Sequence, residues 1–134
     1  MSSGGCACGA IRYKFEGEPL FAVNCHCRDC QRETGSAFAA VLGIPSAGFE
    51  VTKGNPKHYE TRADSGNLTS RVFCGNCGSP LFGQPKGHAD MVTIRAGSLD
   101  DPGIFRPVQD IYVSSAQPWD FMDPKLPKTP QLPS

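Results

Sequence analysis

The chain has 134 residues, and its 13 basic and 13 acidic side chains cancel to a formal net charge of zero. A nucleic-acid-binding domain normally carries a basic face, and a membrane-spanning helix needs about 20 apolar residues in a row. The longest apolar run covers only Ala37–Ile44, so we expect neither nucleic-acid binding nor membrane insertion. The length predicts a single domain over residues 1–124, followed by a Pro-rich tail over residues 125–134.

Glycine and proline are frequent and spread along the chain, with 15 and 12 copies. Each destabilises a helix interior, by about 1 kcal/mol for Gly and about 3 kcal/mol for Pro. Long helices are therefore not expected. The composition instead predicts a mainly β domain built from many short strands.

In chain order, Ser2–Gly5 is expected to be a flexible lead-in, and the alternating Ile11–Phe15 segment is predicted to be a half-buried strand. Arg28–Thr34 has the features of a short helix that ends at Gly35. Two further strands are expected within Ile104–Val113. The remaining predicted strands are Leu20–Val23, Ser36–Ile44, Phe49–Lys53, Lys57–Thr61, Thr69–Phe73 and Met91–Ala96.

Seven cysteines fall into three groups, which are the pair Cys6 and Cys8, the triplet Cys25, Cys27 and Cys30, and the pair Cys74 and Cys77. Seven is an odd number and no secretory signal precedes the first cysteine, so a disulfide framework is not expected. In a reducing cytoplasm, clustered thiols more often bind metal. The pattern predicts a cytoplasmic, zinc-binding protein.

The two outer pairs together supply four thiolates, which would close one structural zinc site. The triplet would leave a second zinc one ligand short, as in a catalytic site, although a nearby residue could close it and make it structural. His26 is the candidate fourth ligand. Because it lies between two ligating cysteines, we expect its side chain to point away from the metal.

The order C-x-C-G, C-H-C-x-x-C and C-G-x-C-G resembles the glutathione-dependent formaldehyde-activating enzyme family, also named for a centromere-protein-V domain. Neighbouring segments match as well, and the likeness runs from Gly5 to about Trp119. The matching segments outside the cysteines are Gln31–Phe38, Phe73, Gly78–Phe82 and Gly97–Pro102.

This resemblance implies several curled, mostly antiparallel sheets, similar to the methionine sulfoxide reductase B fold. It implies two zinc ions per chain, one structural and one catalytic, and a carbon–sulfur lyase that forms S-(hydroxymethyl)glutathione from glutathione and formaldehyde. The implied structural ligands are Cys6, Cys8, Cys74 and Cys77, and the implied catalytic ligands are Cys25, Cys27 and Cys30.

Glutathione carries two carboxylates, so its site needs guanidinium or similar donors. Arg28 and Arg32, beside the triplet, are the first candidates for substrate binding, and His88 is a weaker one. Solvated surface charge is the competing interpretation for each Arg. The residues also leave open another small thiol as substrate, a zinc-stabilised binding module without turnover, and a homo-oligomer. Whether zinc activates the thiol or only positions it stays open too.

Overall fold

Ten short strands, one seven-residue α-helix and four short 3-10 helices make up the regular structure of a computed structural model, which describes residues 1–63 and 66–132. The prediction of a mainly β chain is confirmed. The strands are β1 (Ser2–Gly5), β2 (Arg12–Phe15), β3 (Phe21–Cys25), β4 (Ala39–Pro45), β5 (Phe49–Lys53), β6 (Lys57–Arg62), β7 (Leu68–Phe73), β8 (Pro80–Pro85), β9 (Met91–Arg95) and β10 (Gln109–Ile111), and the helix is α1 (Arg28–Thr34).

The strands form two sheets in the described part of the chain, one with three strands in the order β1-β2-β5 and one with seven in the order β10-β3-β4-β9-β8-β7-β6. Every neighbouring pair is antiparallel except β10 and β3, which run parallel. In the described residues neither sheet closes on itself, because β1 and β5 end the small sheet and β10 and β6 end the large one. The expectation of several curled sheets is therefore wrong, and the similarity to the reductase fold stays a prediction.

Two segment predictions are also wrong. Ser2–Gly5 is a strand, paired residue by residue with β2, because β2 offers an open edge that local propensity does not reveal. A Cβ at Gly4 would lie 2.3 Å from the Tyr13 hydroxyl, so only glycine permits this close pairing. Ile104–Val113 holds one short strand rather than two, since Pro107 has no N–H to contribute to a ladder.

The main core lies where side chains from both sheets meet. Tyr13 of the small sheet and Phe82 of the large sheet are both at most 2 % exposed, and both rings contact Phe49. Leu42 and Ile94 complete this apolar centre. Its burial anchors the two sheets together and sets the positions of the turns between their strands.

The predicted helix and its end are confirmed. Cys27 lies at the N-cap position, where its sulfur accepts a hydrogen bond from the Cys30 N–H at 3.3 Å. Gly35 ends the helix in the left-handed conformation with φ of 67°. Cys25 is the last residue of β3, so the strand end and the first helical turn bring the three central thiols into one place.

The chain beyond β10 turns back and pairs with it. The backbone N–H of Asp110 donates to Pro127, and the N–H of Thr129 donates to Asp110, both at 3.0 Å. A further backbone bond joins Tyr112 to Gln131 at 3.1 Å. The described part of the Pro-rich tail is thus extended along the edge of the large sheet. No helix in residues 1–63 and 66–132 is long and apolar enough to span a bilayer.

Candidate metal centres and active site

The four outer thiols converge on one point, as their spacing predicts. The sulfur atoms of Cys6, Cys8, Cys74 and Cys77 all lie within 4.8 Å of one another. Cys6 and Cys8 are 3.6 Å apart and Cys8 and Cys74 are 3.8 Å apart. A tetrahedral zinc with bonds of about 2.3 Å to sulfur requires edges of about 3.8 Å, so this donor set fits the ion.

Hydrogen bonds to these sulfurs favour a thiolate, although for Cys74 the backbone hydrogen bonds are outweighed by burial and by the adjacent Cys6 and Cys77, which raise its pKa overall. The N–H of Ile11 donates to Cys6 at 3.2 Å, and the N–H of Asn76 donates to Cys74 at 3.3 Å. A hydrogen bond with the Ser79 hydroxyl lowers the pKa of the exposed Cys77 thiol to about 5. Thiolates are the form that binds metal. The cluster joins the β1–β2 turn to the β7–β8 turn.

The central triplet is buried, with Cys25, Cys27 and Cys30 each at most 8 % exposed. Their sulfurs also lie within 4.8 Å of one another, and no fourth His, Cys, Asp or Glu atom joins them in the described residues. Hydrogen bonds from Cys25 and then Cys30 lower the pKa of Cys27, while the same Cys25–Cys27 contact raises the pKa of Cys25. The thiolate form of Cys27 is thus already favoured. Three soft sulfur donors suit a zinc ion and leave one of its four coordination positions for another ligand.

The triplet forms part of the wall of a cavity of about 370 Å³. This cavity lies at the face of the large sheet, between the triplet and the segment that follows β10. Most of the other described residues that line it are apolar, namely Phe21, Val23, Val41, Ala63, Leu68, Pro85, Met91, Val108, Ile111 and Leu132. Such a cavity can hold a small molecule against the sulfur atoms.

Two buried arginines, Arg71 of β7 and Arg95 of β9, also line this cavity. Both bind Glu33 of α1, through Arg71 Nη1 at 2.8 Å and through Arg95 Nε at 2.6 Å and Nη2 at 3.0 Å. Arg71 Nη1 lies 4.0 Å from the Cys30 sulfur, and the buried Nε of Arg71 has no hydrogen-bond partner in the part of the chain that the structure describes. A positive group therefore adjoins the thiols.

The ionised forms of Glu33, Arg71 and Arg95 stabilise one another. Burial raises the pKa of Glu33, but the charge and hydrogen bonds of Arg95 and Arg71 outweigh burial and leave the pKa below its usual value. Burial lowers the pKa of Arg71, but Cys30 and Glu33 outweigh it and raise the pKa overall. Sequence reasoning missed this trio. Its only local signal is one arginine in each of the strands β7 and β9, whose other residues carry no charge.

His26 faces away from the thiols, as predicted. Its Nε2 lies 2.9 Å from the Asp110 carboxylate and its Nδ1 lies 2.6 Å from that of Asp120. Lys128 binds the second oxygen of Asp110 at 3.1 Å. Both ring nitrogens are occupied, so His26 orients the loop between two of the thiols and does not supply a metal ligand.

Of the three residues predicted to bind substrate, the structure places one at the triplet cavity and two elsewhere on the surface. His88 is exposed and lines the triplet cavity. Arg28 and Arg32 are exposed but are not among the residues that line it. Arg28 instead donates to the Gln31 side chain, and Arg32 lines a different depression on the surface. A role in substrate binding stays a prediction for all three residues.

A mainly β domain with one four-thiol and one three-thiol cluster has the donor sets of a metal-binding protein. The model of the family described as glutathione-dependent formaldehyde-activating enzyme matches residues 1–115, and the chain belongs to this family. The resemblance inferred from the cysteine motifs is thereby confirmed.

A crystal structure of a Rhodobacter sphaeroides protein is similar over almost the whole of both chains. The match covers 95 % of this chain and 99 % of that one, with a TM-score of 0.59 and 21 % sequence identity. At that identity the likeness shows the fold alone. A search of curated proteins finds no match.

Proposed function

We propose that this protein is a zinc-dependent carbon–sulfur lyase that forms or breaks a thiol–carbonyl adduct, with glutathione and formaldehyde giving S-(hydroxymethyl)glutathione as the family's named reaction. One observation carries the proposal. Three buried thiols converge without a fourth protein ligand in the described residues, and they line a cavity. This chemistry needs a position that binds the substrate sulfur and, next to it, a space that holds the carbonyl compound.

Cys25, Cys27 and Cys30 would hold the catalytic zinc, and the four outer thiols would hold a structural one. Zinc bound to the triplet would supply a Lewis acid that favours the thiolate form of a substrate thiol. In the reaction a sulfur–carbon bond forms, the carbonyl double bond becomes a single bond, and the thiol proton ends on the new hydroxyl.

The chain's own residues contribute the rest. The apolar walls exclude water from the adduct, which strengthens the electrostatic interactions inside the cavity. Arg71 lies beside Cys30 and has a buried Nε–H donor that is unpaired among residues 1–63 and 66–132. It is suited to donate to the carbonyl oxygen as negative charge develops there.

Two other functions are compatible with the same site. The zinc chemistry could act on another small thiol, because both arginines that line the cavity already bind Glu33 and are not free to pair with glutathione's two carboxylates. A binding module without turnover would instead need the central metal to be closed and purely structural. In either case, free thiols throughout the described chain fit a reducing, cytoplasmic location.

The Cys27→Ser variant tests the proposal. We expect it to lose one of two zinc ions and all acceleration of adduct formation from glutathione and formaldehyde, while it stays folded. Zinc content is measured by elemental analysis, adduct formation by NMR against the uncatalysed reaction, and folding by circular dichroism.

Retention of both zinc ions and full activity in Cys27→Ser would refute a catalytic triplet. A wild-type protein that carries two zinc ions but does not accelerate the reaction of any small thiol would favour the binding module.

A further inference from the structure

The volume and the lining of the triplet cavity indicate the class of substrate that it holds. Formaldehyde, with one carbon and one oxygen, would occupy only a small part of about 370 Å³. Small-molecule sites typically measure roughly 300–1,000 Å³, so this space is of the size that holds a larger organic group. Ten of the described residues that line it have apolar side chains, among them Phe21, Val23 and Val41.

Most donors of the charged groups at the cavity already have partners, and the Nε–H of Arg71 is the exception in the described residues. Arg95 directs Nε and Nη2 to Glu33, and its Nη1 donates to the Thr93 carbonyl at 2.9 Å. Two arginines and one glutamate leave a net charge of +1, and a zinc ion with three thiolates carries −1. The sum is zero, so the interior has no net charge to balance a substrate carboxylate or ammonium group, and burying either unpaired would be costly.

We infer that the substrate of this site is a thiol–carbonyl adduct bearing an apolar carbon chain or ring, which fills the cavity beside the triplet. The inference rests on the proposed function and specifies its substrate class. Polar parts of the adduct would remain at the exposed rim, where His88 lies. The apolar group can belong to the carbonyl compound or to the thiol, and the experiment below distinguishes the two.

The reaction needs no additional reagent. An aldehyde with an apolar chain and a thiol combine by forming one sulfur–carbon bond. The carbonyl π electrons move to oxygen, which receives the proton that the thiol loses. The reverse reaction releases the same two molecules, so no oxidant or reductant is involved.

The test uses the zinc-loaded protein and two homologous series. In the first, glutathione is held constant and propanal is compared with hexanal by the KM of adduct formation. In the second, propanethiol is compared with hexanethiol by calorimetric titration without any aldehyde. Each buried methylene contributes roughly fourfold in affinity, so three added methylenes should give roughly ten- to sixtyfold tighter binding in the series that carries the apolar group.

Two matched variants distinguish binding inside the cavity from non-specific hydrophobic adsorption to the protein surface. Val108 lines the cavity and is 61 % exposed, whereas Leu20 is 53 % exposed and is not among the lining residues. Val108→Asp should weaken hexanal or hexanethiol binding by roughly fourfold or more, the effect of about one buried methylene. Leu20→Asp should leave it unchanged.

A gain with chain length for the aldehydes places the apolar group on the carbonyl compound, and a gain for the thiols places it on the thiol. If propanethiol binds but neither series shows a gain, or if both Asp variants behave alike, the inference is overturned and the proposed function stands. If the zinc-loaded protein binds no thiol of either length and accelerates no adduct, the proposed function itself fails.

Discussion

At the scale of single residues, Glu33 is the central group of the site's charge cluster. Its side chain is 12 % exposed and binds Arg71 and Arg95, which come from two different strands. Removing one member of a buried ion pair leaves an uncompensated charge, and such losses typically cost about 3–5 kcal/mol. Glu33 thus connects the helix that carries Cys30 to the floor of the cavity.

We expect Glu33→Gln to lower the free energy of unfolding by on the order of 3 kcal/mol at neutral pH. The pKa of Glu33 is lower in the folded protein than in the unfolded chain. Its stabilisation is therefore fully present above the unfolded pKa of about 4.3 and is lost as the pH falls through the folded value. The difference between variant and wild type should shrink below about pH 4, as measured by urea unfolding across pH.

Glu50→Gln is the control, because Glu50 pairs with Lys14 at 3.5 Å on the surface, where both side chains are well exposed. Its effect should stay below about 1 kcal/mol. Equal losses for the two variants would show that Glu33 is not a buried anchor.

At the scale of elements, the segment after β10 supports the loop that carries the triplet. Lys128 binds Asp110, which is only 1 % exposed. Asp110 in turn binds His26, the residue between Cys25 and Cys27. Burial raises the pKa of Asp110, but hydrogen bonds from His26 and Lys128 outweigh it and lower the pKa below its usual value. The tail is therefore connected through Asp110 and His26 to the loop that carries the triplet.

Lys128→Met should destabilise the fold by about 1–3 kcal/mol, because it leaves a buried carboxylate with one charged partner fewer. Urea unfolding monitored by circular dichroism measures this change. Lys125→Met is the matched control, since Lys125 has an exposed side chain with no ion pair in the described residues. No difference between the two variants would mean that the tail contributes nothing to the loop.

At the scale of the whole molecule, the four-thiol cluster joins parts of the chain that are far apart in sequence. Cys8 and Cys74 are 66 positions apart, yet their sulfurs are 3.8 Å apart. Zinc binding at structural sites contributes about 10–16 kcal/mol, which equals or exceeds the net stability of about 5–15 kcal/mol of a typical domain. The folded state should therefore depend on this cluster.

Cys74→Ser is expected to lose the outer zinc and to unfold or aggregate, whereas Cys27→Ser loses the central zinc and stays folded. Thermal melts and metal analysis of both variants, run side by side, compare the two sites. A Cys74→Ser protein with an unchanged thermal midpoint and both metals would disprove the structural assignment.

The two thiol clusters could be predicted from the sequence because metal-ligand spacing is local. Cysteines two or three positions apart must turn toward a common point, and two pairs plus a triplet use all seven. The helix over Arg28–Thr34 was predictable for the same reason, since its end depends on the adjacent Gly35.

The strand at Ser2–Gly5 and the charge cluster of the cavity were not predictable. Arg71 and Arg95 lie 38 and 62 positions from Glu33, and their meeting depends on the order in which β7, β8 and β9 pair within the large sheet. The Ser/Gly segment becomes a strand only because β2 presents an open edge. Short-range patterns carry no information about such pairing, because the free energy that selects it comes from contacts between distant segments.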